Sequence, residues 1–447
     1  MADQSIIRIT KEIGEIQKNS DLFAFRDRDV RNVKAMIIGP HETPYEFGFF
    51  EFSFKFHKGD QAFFARPCLL RAARLIPSGS SRLSPQVARR DLHHNQRWPI
   101  TWRGEPGEQW SAAQGLESIL ISIQSLMSSN PYENEPGFEH ANEVADKTNQ
   151  QDYVAKIRHE SLRISVIQKL EGFLGISSTG DVPATPTEYD PIADGLDLED
   201  PSIPWEPFKD LYKRRFLWYY DTYLEAIKQA KKEVKDGQAF VRMPFEGDNN
   251  TMNGTFNYAG LEKRLQKIKA ALNDEVEKWA TEGISAKNKD TTVPVNLARQ
   301  FDQIKESFRR DDIPHNVELE QNNPFIWVLT YFGRPMTNFD GGMFRIKLNF
   351  SPRFPEEQPR VKFLTSVFHH RVTPDGILCY IPNPNRCDDV KQHIEAIFNA
   401  LEEEAPPYDP RTQVHPEAHK LYWGGDEGRK IYNRKLRRSV QRSMEDF

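Results

Sequence analysis

A short tract rich in glycine and proline occurs twice in this chain of 447 residues, once near each end. The first copy reads GPHETPYEFG over residues 39–48, and the second reads GRPMTNFDGG over residues 333–342. In both copies an extended segment leads into the tract and a strictly alternating segment follows it, which predicts a turn between two strands. A sequence repeated in this way predicts one supersecondary unit that is present twice.

The hydrophobic periodicity around the turn is also shared by the two copies. Apolar residues at three- and four-residue steps predict an amphipathic helix before each turn and another after the strands. Alternation after the turn predicts a half-buried antiparallel strand. Helix, antiparallel meander and helix is an α+β arrangement, so we expect an α+β fold with two such units. These positions are Ile6, Ile9, Ile13, Ile16, Phe50, Phe52, Phe54, Phe56, Leu116, Ile119, Leu120, Ile123 and Met127 in the first copy, and Leu297, Phe301, Ile304, Phe308, Phe344, Ile346, Leu348, Phe350, Ile394, Ile397, Phe398 and Leu401 in the second.

Polar stretches and helical patterns divide the chain between and around the two units. The aromatic residues of the central helical pattern, among them Phe216, Tyr219 and Tyr223, are interpreted as packing residues. The predicted segments are a first core at 1–145, a helical extension at 146–174, a polar linker at 175–204, a helical region at 205–281, a linker at 282–294 and a second core at 295–447.

Composition excludes several classes of function. A net charge of −5 provides no basic surface for a phosphate backbone, so we expect no nucleic-acid partner. No apolar run of eighteen residues exists and the first residues lack a secretion signal, so we expect no membrane partner and a cytoplasmic or nuclear location. Cys68, Cys379 and Cys387 are too few for a disulfide framework or a zinc site. We therefore expect no metal and no cofactor, and a reduced, reactive thiol.

Several tracts of the first copy resemble the ubiquitin-conjugating enzyme family. They are the turn at 39–50, Trp102, WSAAQ at 110–114 and NPYENEPGFE at 130–139. The tract at 130–139 is similar to the large Z-type members of the family, which have a helical extension after the core. The tracts IRHESLR at 157–163 and YYDTY at 219–223 resemble that extension. The resemblance covers most of residues 1–280.

The resemblance breaks in the disrupted segment 57–100, where the family has its active-site turn and catalytic cysteine. Cys68 lies there between arginine and leucine residues without the family motif, which favours an idle or partly buried thiol. The tracts on both sides of this segment match the family and its length is plausible, but its residues do not match. We therefore hypothesise that the segment results from a shifted reading frame or a wrongly assigned exon. True divergence is the alternative. A transcript that encodes residues 55–102 in frame would contradict the hypothesis.

The second copy resembles the family more completely. The stretch SPRFPEEQPRVKF at 351–363 is similar to its strand with a proline-rich entry, and FHHRVTPDGILC at 368–379 has its spacing from a His-Pro-Asn turn to the catalytic cysteine. The resemblance implies that Cys379 is the nucleophile and that His369 and Arg371 occupy the turn. Proline and asparagine are absent from it, so Arg371 is a candidate oxyanion or loop-stabilising group, or else a solvated side chain. Asp409 falls where the family has an acid that positions the acceptor lysine; a simple turn aspartate is the alternative.

The resemblance implies a function as well as a fold. A ubiquitin-conjugating enzyme carries ubiquitin or a ubiquitin-like protein as a cysteine thioester and transfers it to lysine or to a ligase. The implied partners are the modifier, an activating enzyme, a ligase and protein substrates. The alternative is a catalytically inactive variant that acts as a binding scaffold, which is favoured by Arg371, by Cys387 at the place of a family tryptophan and by the disrupted first copy.

Overall fold

The computed structural model describes residues 4–16, 22–27, 30, 32–55, 68–72, 115–135, 137–140, 143–176, 205–246, 253–287, 292–311, 314–403 and 406–445. Its contacts divide the chain into two compact units. The first unit comprises Met1–Lys209 and Gln229–Arg264, and the second comprises Asp210–Lys228 and Leu265–Phe447. The residues of the helical region predicted at 205–281 are divided between the two units.

The first unit combines one antiparallel sheet with helices. Its strands pair in the order β1-β2-β3-β4, with Ile38 opposite Phe49 at the turn. Ile9, Ile13 and Ile16 are buried against the strands, as their periodicity predicts. The elements are α1 (Gln4–Ile16), β1 (Leu22–Arg26), β2 (Asn32–Ile38), β3 (Phe49–Lys55), β4 (Cys68–Ala72) and α2 (Leu116–Ser125).

The helical extension predicted after the first sheet is confirmed as helix. It consists of α3 (Val144–Glu160), a π-helical stretch (Ser161–Gln168) and α4 (Lys169–Leu174). Residues 177–204, predicted as a linker, lie outside the described residues, as does the disrupted segment apart from β4. A complete first core stays a prediction for the same reason.

Two long helices follow, α5 (Lys209–Glu233) and α6 (Tyr258–Lys287). The predicted linker at 282–294 is incorrect at its start, because α6 continues through Lys287. The sequence predicts Gly283 in a polar linker, but the residue lies inside the helix. An added Cβ there would come within 2.5 Å of the Phe325 ring, so Gly283 allows the helix to pack closely on that ring.

The second unit repeats the arrangement of sheet and helices. Its strands pair antiparallel in the order β5-β6-β7-β8, with Trp327 opposite Leu348 and Leu348 opposite Val361. The α7 and β7 positions predicted as apolar faces are buried in one core together with Ile394, Ile397 and Leu401. The elements are α7 (Thr292–Arg310), β5 (Asn316–Leu319), β6 (Ile326–Phe332), β7 (Met343–Asn349), β8 (Arg360–Phe363), α8 (Val390–Glu402), α9 (Pro416–Trp423) and α10 (Gly425–Ser443).

The duplicated turn has the same hydrogen bonds in each unit. The amide of Gly39 donates to the carbonyl of Gly48 at 2.8 Å, and that of Gly333 donates to Gly342 at the same distance. Thr43 and Thr337 each donate a side-chain hydrogen bond of 2.7 Å to the carbonyl three residues earlier. The repeat inferred from the sequence is thus a repeat of one folded turn.

Two features of the described ranges bear on binding. Within these ranges, no helix is long and apolar enough to cross a membrane. The same residues include no group of three or more histidine, cysteine, aspartate or glutamate side chains that could hold a metal ion.

Candidate active site

Cys379 lies on the connection between β8 and α8, and its backbone is fixed by hydrogen bonds. Its amide donates to the carbonyl of Arg371 at 2.8 Å, and the amide of Leu378 donates to Val361 at 3.2 Å. A β-bridge also joins Val372 to Leu378. The residues before the cysteine therefore form a narrow hairpin that places Cys379 directly beside Arg371.

A glycine makes this hairpin possible. Gly376 has φ of +93°, a conformation that glycine adopts without steric penalty. Its carbonyl accepts a 2.7 Å hydrogen bond from Phe363, and an added Cβ would lie 2.6 Å from the Phe363 oxygen. The close approach to β8 fixes the spacing between His369 and Cys379 that the sequence shows.

His369 is a buried structural histidine in this structure. Its Nδ1 accepts a 3.2 Å hydrogen bond from the amide of Arg371, and its carbonyl accepts one from Val372. Burial, with help from the nearby charges of Arg371 and His415, lowers the pKa of His369 to about 3. A neutral ring that accepts from the backbone orders the loop. The predicted catalytic role of His369 stays untested, and the contacts favour positioning.

Arg371 has a mostly buried side chain that pairs with a glutamate. Its side chain is 12% exposed, and Nη2 lies 3.2 Å from Glu403 Oε2. The buried Nε has no hydrogen-bond partner among the described residues. A buried donor without a hydrogen-bond partner is uncommon in folded proteins.

Asp409 is held by its own turn. Arg411 donates two side-chain hydrogen bonds of 2.5 and 2.6 Å to the carboxylate, and its amide donates a third of 3.0 Å. Burial opposes ionisation of Asp409, but the hydrogen bonds and charge of Arg411 outweigh it, so the pKa is lowered. The carboxylate is therefore charged at neutral pH and committed to Arg411, which fits a turn aspartate. A role toward an acceptor lysine stays a prediction.

The thiol of Cys379 is fully buried among charged groups. Burial raises its pKa to about 11, although the positive charges of Arg215, Arg371 and Arg411 act in the opposite direction. Asp409 is also within electrostatic reach. Of the four residues predicted to act at this site, Cys379, Arg371 and His369 are joined by the hydrogen bonds of one loop, whereas Asp409 is related to the thiol only through its charge.

The sequence patterns do not predict that Arg215 and Tyr219 of α5 lie near the thiol. Arg215 is 4% exposed, and its Nη1 lies 3.3 Å from the hydroxyl of Tyr219; both side chains interact electrostatically with Cys379. The prediction that Tyr219 is a packing residue agrees with its complete burial. A signal was present in Lys213, Arg214 and Arg215, since a basic run inside an aromatic helix is unusual for a core face.

An open groove lies beside the segment that follows Cys379. It encloses about 460 Å³ and is lined by Arg371, the segment 381–384 and the solvent-facing side of α8. Cys379 is not among the residues that line it. Cys387 lies near this segment, with its sulfur 3.3 Å from the carbonyl of Pro384, and both it and Cys379 are free thiols.

Comparison with known proteins identifies the family of this chain. Residues 297–407 match the family described as ubiquitin-conjugating enzyme. Ubiquitin-conjugating enzyme E2 Z of Danio rerio is 30% identical over 285 residues, which is 61% of this chain and 70% of that protein. The Homo sapiens protein of the same name is 31% identical over 61% of this chain and 66% of its own length. The chain belongs to the ubiquitin-conjugating enzyme family, as its motifs predicted.

Solved structures add a more distant likeness. The E2 domain of a Toxoplasma gondii ubiquitin-conjugating enzyme is 15% identical, and the match covers 33% of this chain and 96% of that domain with a TM-score of 0.28. A putative ubiquitin-conjugating enzyme of Plasmodium yoelii gives the same TM-score at 14% identity, with 34% and 95% covered.

Proposed function

We propose that this chain is a ubiquitin-conjugating enzyme whose second unit carries ubiquitin or a ubiquitin-like protein as a thioester on Cys379. The observation that supports it is the hairpin that ties Cys379 to Arg371, inside the stretch that matches the family. The partners of this reaction are an activating enzyme, a ligase and lysine-bearing substrates, in the cytoplasm or nucleus.

The proposed chemistry is two successive acyl transfers. The Cys379 thiolate attacks the thioester carbonyl on the activating enzyme, forms a new carbon–sulfur bond and releases the enzyme's own thiolate. A lysine amine, or the thiol of a ligase, then attacks the new thioester. The Cys379 thiolate leaves, and the amine loses its proton to solvent. Each step passes through a tetrahedral intermediate with a negatively charged oxygen.

Arg371 is the proposed donor to that oxygen. Its Nε is buried without a partner among the described residues, and its fixed charge lies beside the cysteine. The pair with Glu403 restrains the guanidinium and leaves Nε available, because it engages Nη2 only. A pre-positioned cationic donor stabilises a developing oxyanion more than the neutral ground state.

A charging assay with activating enzyme, ATP and ubiquitin tests the proposal. The intact protein is expected to form an adduct that reductant removes, whereas Cys379→Ser is expected to form a reductant-resistant ester, because an ester replaces the thioester. Cys387→Ser is the matched control and should still form the reducible adduct. A reducible adduct that survives in Cys379→Ser would place the thioester on another cysteine and contradict the assignment.

Arg371→Ala is expected to slow transfer more than charging. We expect discharge of the preformed thioester to free lysine to fall about 100-fold, the magnitude typical of one lost oxyanion donor. Single-turnover discharge measures this step without the activating enzyme. Arg386→Ala is the control, since Arg386 is 56% exposed and pairs with Asp389 near the same loop. Equal discharge rates in both variants would remove Arg371 from the mechanism.

A scaffold is the second candidate function. The complete burial of the Cys379 thiol and its pKa of about 11 favour it, since a protonated and covered thiol does not attack a thioester. A scaffold would give no adduct in the charging assay yet would still bind ubiquitin, measured by chemical-shift changes in labelled ubiquitin.

A further inference from the structure

The hairpin that leads into Cys379 has a tip, residues 373–377, that is closed by side-chain hydrogen bonds. The hydroxyl of Thr373 accepts a 2.9 Å hydrogen bond from the amide of Ile377 and donates one to Asp375 Oδ1. The amide of Thr373 donates a further bond of 2.9 Å to the carbonyl of Ile377. Because Ile377 is two residues before the cysteine, the conformation of the tip determines how the chain enters Cys379.

A lysine of α6 binds the same aspartate. The ammonium of Lys269 lies 2.9 Å from Asp375 Oδ2, so the two carboxylate oxygens join the tip to the helix. Burial opposes the ionisation of Asp375, but the hydrogen bonds from Thr373 and Lys269 outweigh it and lower the pKa of the carboxyl group. The carboxylate is therefore charged at neutral pH and can bind both partners.

The Lys269 side chain is itself restrained by an aromatic ring. It is 17% exposed, and its ammonium lies 3.9 Å from the centroid of the buried Tyr220 ring. A lysine in water loses side-chain freedom when it forms an ion pair, and this loss offsets most of the attraction. Because the attraction of the Tyr220 ring for the ammonium already limits that freedom, less is lost when Lys269 binds Asp375.

The other attachments of the hairpin lead to one strand. The amide of Leu378 donates to Val361 at 3.2 Å, and the amide of Phe363 donates to Gly376 at 2.7 Å, so both bonds join the hairpin to β8. Bonds to a single strand leave the hairpin able to rotate about that strand. The ion pair of Asp375 comes from a different element, α6, and therefore opposes this rotation.

We propose that Lys269 is a positioning residue, which restrains the tip of the hairpin through Asp375 and so fixes the arrangement of Cys379 and Arg371. Lys269 acts through the hairpin and not on the reacting atoms. The amide of Cys379 donates to the carbonyl of Arg371 at 2.8 Å, so the restraint reaches both residues. The effect on acyl transfer rests on the proposed function, whereas the restraint itself is independent of it.

Hydrogen exchange of the full-length protein measures the restraint without any charging reaction. Lys269→Met removes the charge and keeps a flexible side chain. We expect the peptide that spans residues 371–380 to exchange about 10-fold faster in this variant, because the hairpin opens locally, while peptides of β6 and β7 keep their rates. Lys267→Met is the matched control, since Lys267 is exposed on the same helix two residues away. Asp375→Asn weakens the same pair from its other side, and Lys269→Met should have little further effect in that background.

Charging kinetics then test the positioning role. The concentration of ubiquitin-loaded activating enzyme is varied to obtain a maximal rate and a half-saturating concentration. Lys269→Met is expected to lower the maximal rate about 10-fold and leave the half-saturating concentration unchanged, because the thiol is misplaced while docking is unaffected. Lys269→Arg should restore the maximal rate, since arginine keeps the charge, lies over aromatic rings and binds carboxylates. Lys267→Met should charge like the intact protein.

The outcomes separate the restraint from the proposed function. Faster exchange of residues 371–380 in a protein that never charges would support the restraint and contradict the thioester proposal. Faster exchange together with a lower maximal rate would support both. Unchanged exchange, or exchange that is equally faster throughout the second unit, would overturn the restraint. An unchanged maximal rate, a change in the half-saturating concentration alone, or no rescue by Lys269→Arg would overturn the positioning role.

Discussion

Gly333→Ala is expected to abolish the native second unit. The added Cβ would lie 1.6 Å from the carbonyl oxygen of Phe339 and 2.4 Å from its carbon, and both are backbone atoms that no rotamer change can move. Relief requires opening the turn that joins β6 to β7, whose Gly333–Gly342 hydrogen bond is 2.8 Å long. We expect a loss of about 4 kcal/mol or more in the free energy of unfolding, the upper range for one substitution.

Hydrogen exchange followed by mass spectrometry measures this effect unit by unit. Peptides from residues 316–363 should lose protection in Gly333→Ala, whereas peptides of the first sheet should lose it in Gly39→Ala, where the Cβ would lie 1.7 Å from the Tyr45 oxygen. Gly172→Ala is the control, because nothing lies within 4 Å and the helix should gain about 0.5 to 1 kcal/mol. Unchanged protection of 316–363 in Gly333→Ala would contradict the close approach.

The same glycines explain why so much of the fold is predictable from the sequence. Period-two alternation on β7 and helical spacing on α7 arise from local geometry, so residues such as Phe344 and Phe301 could be assigned to the core without a structure. The turn between them repeats at matching positions because its hydrogen bonds require glycine and threonine at fixed offsets. Local patterns of this kind hold wherever the chain folds.

The candidate site was predictable only in part, because its surroundings are assembled from distant segments. The spacing from His369 to Cys379 reflects one hairpin, and the sequence showed it. The burial of the thiol depends also on Arg215 and Tyr219, more than 150 residues earlier in the chain, and no local period indicates such a contact. The direction of the Arg371 side chain, which pairs with Glu403, could not be predicted either, because a side-chain rotamer depends on the folded surroundings.

Acid is expected to destabilise the second unit through its buried histidines. Burial lowers the pKa of His369 to about 3 and that of His393 to about 4, from an ordinary value of 6.5. His370 and His315 shift in the same direction, also because of burial. Between pH 6.5 and 4 the unfolded chain therefore binds more protons than the native one. The free energy of unfolding should fall by about 1.4 kcal/mol per pH unit for each fully buried ring, with no contribution above pH 6.5.

His393 allows the sign and size of this effect to be tested separately. Its Nδ1 lies 3.0 Å from the Tyr380 hydroxyl, and its Nε2 lies 2.9 Å from the carbonyl of Cys387. The neutral ring can accept a hydrogen bond from Tyr380 and donate one to Cys387. A proton added at Nδ1 would remove the acceptor that the Tyr380 hydroxyl uses. Urea unfolding at pH 7, 6 and 5 should show a loss of stability from pH 7 to pH 5 that is smaller by about 2 kcal/mol in His393→Gln. His140→Gln, at an exposed position of the first unit, is the control for the loss of a histidine that is not buried. A second unit as stable at pH 5 as at pH 7 would show that these histidines are protonated in the native state, and the neutral hydrogen bonds of His369 and His393 would then be incorrect.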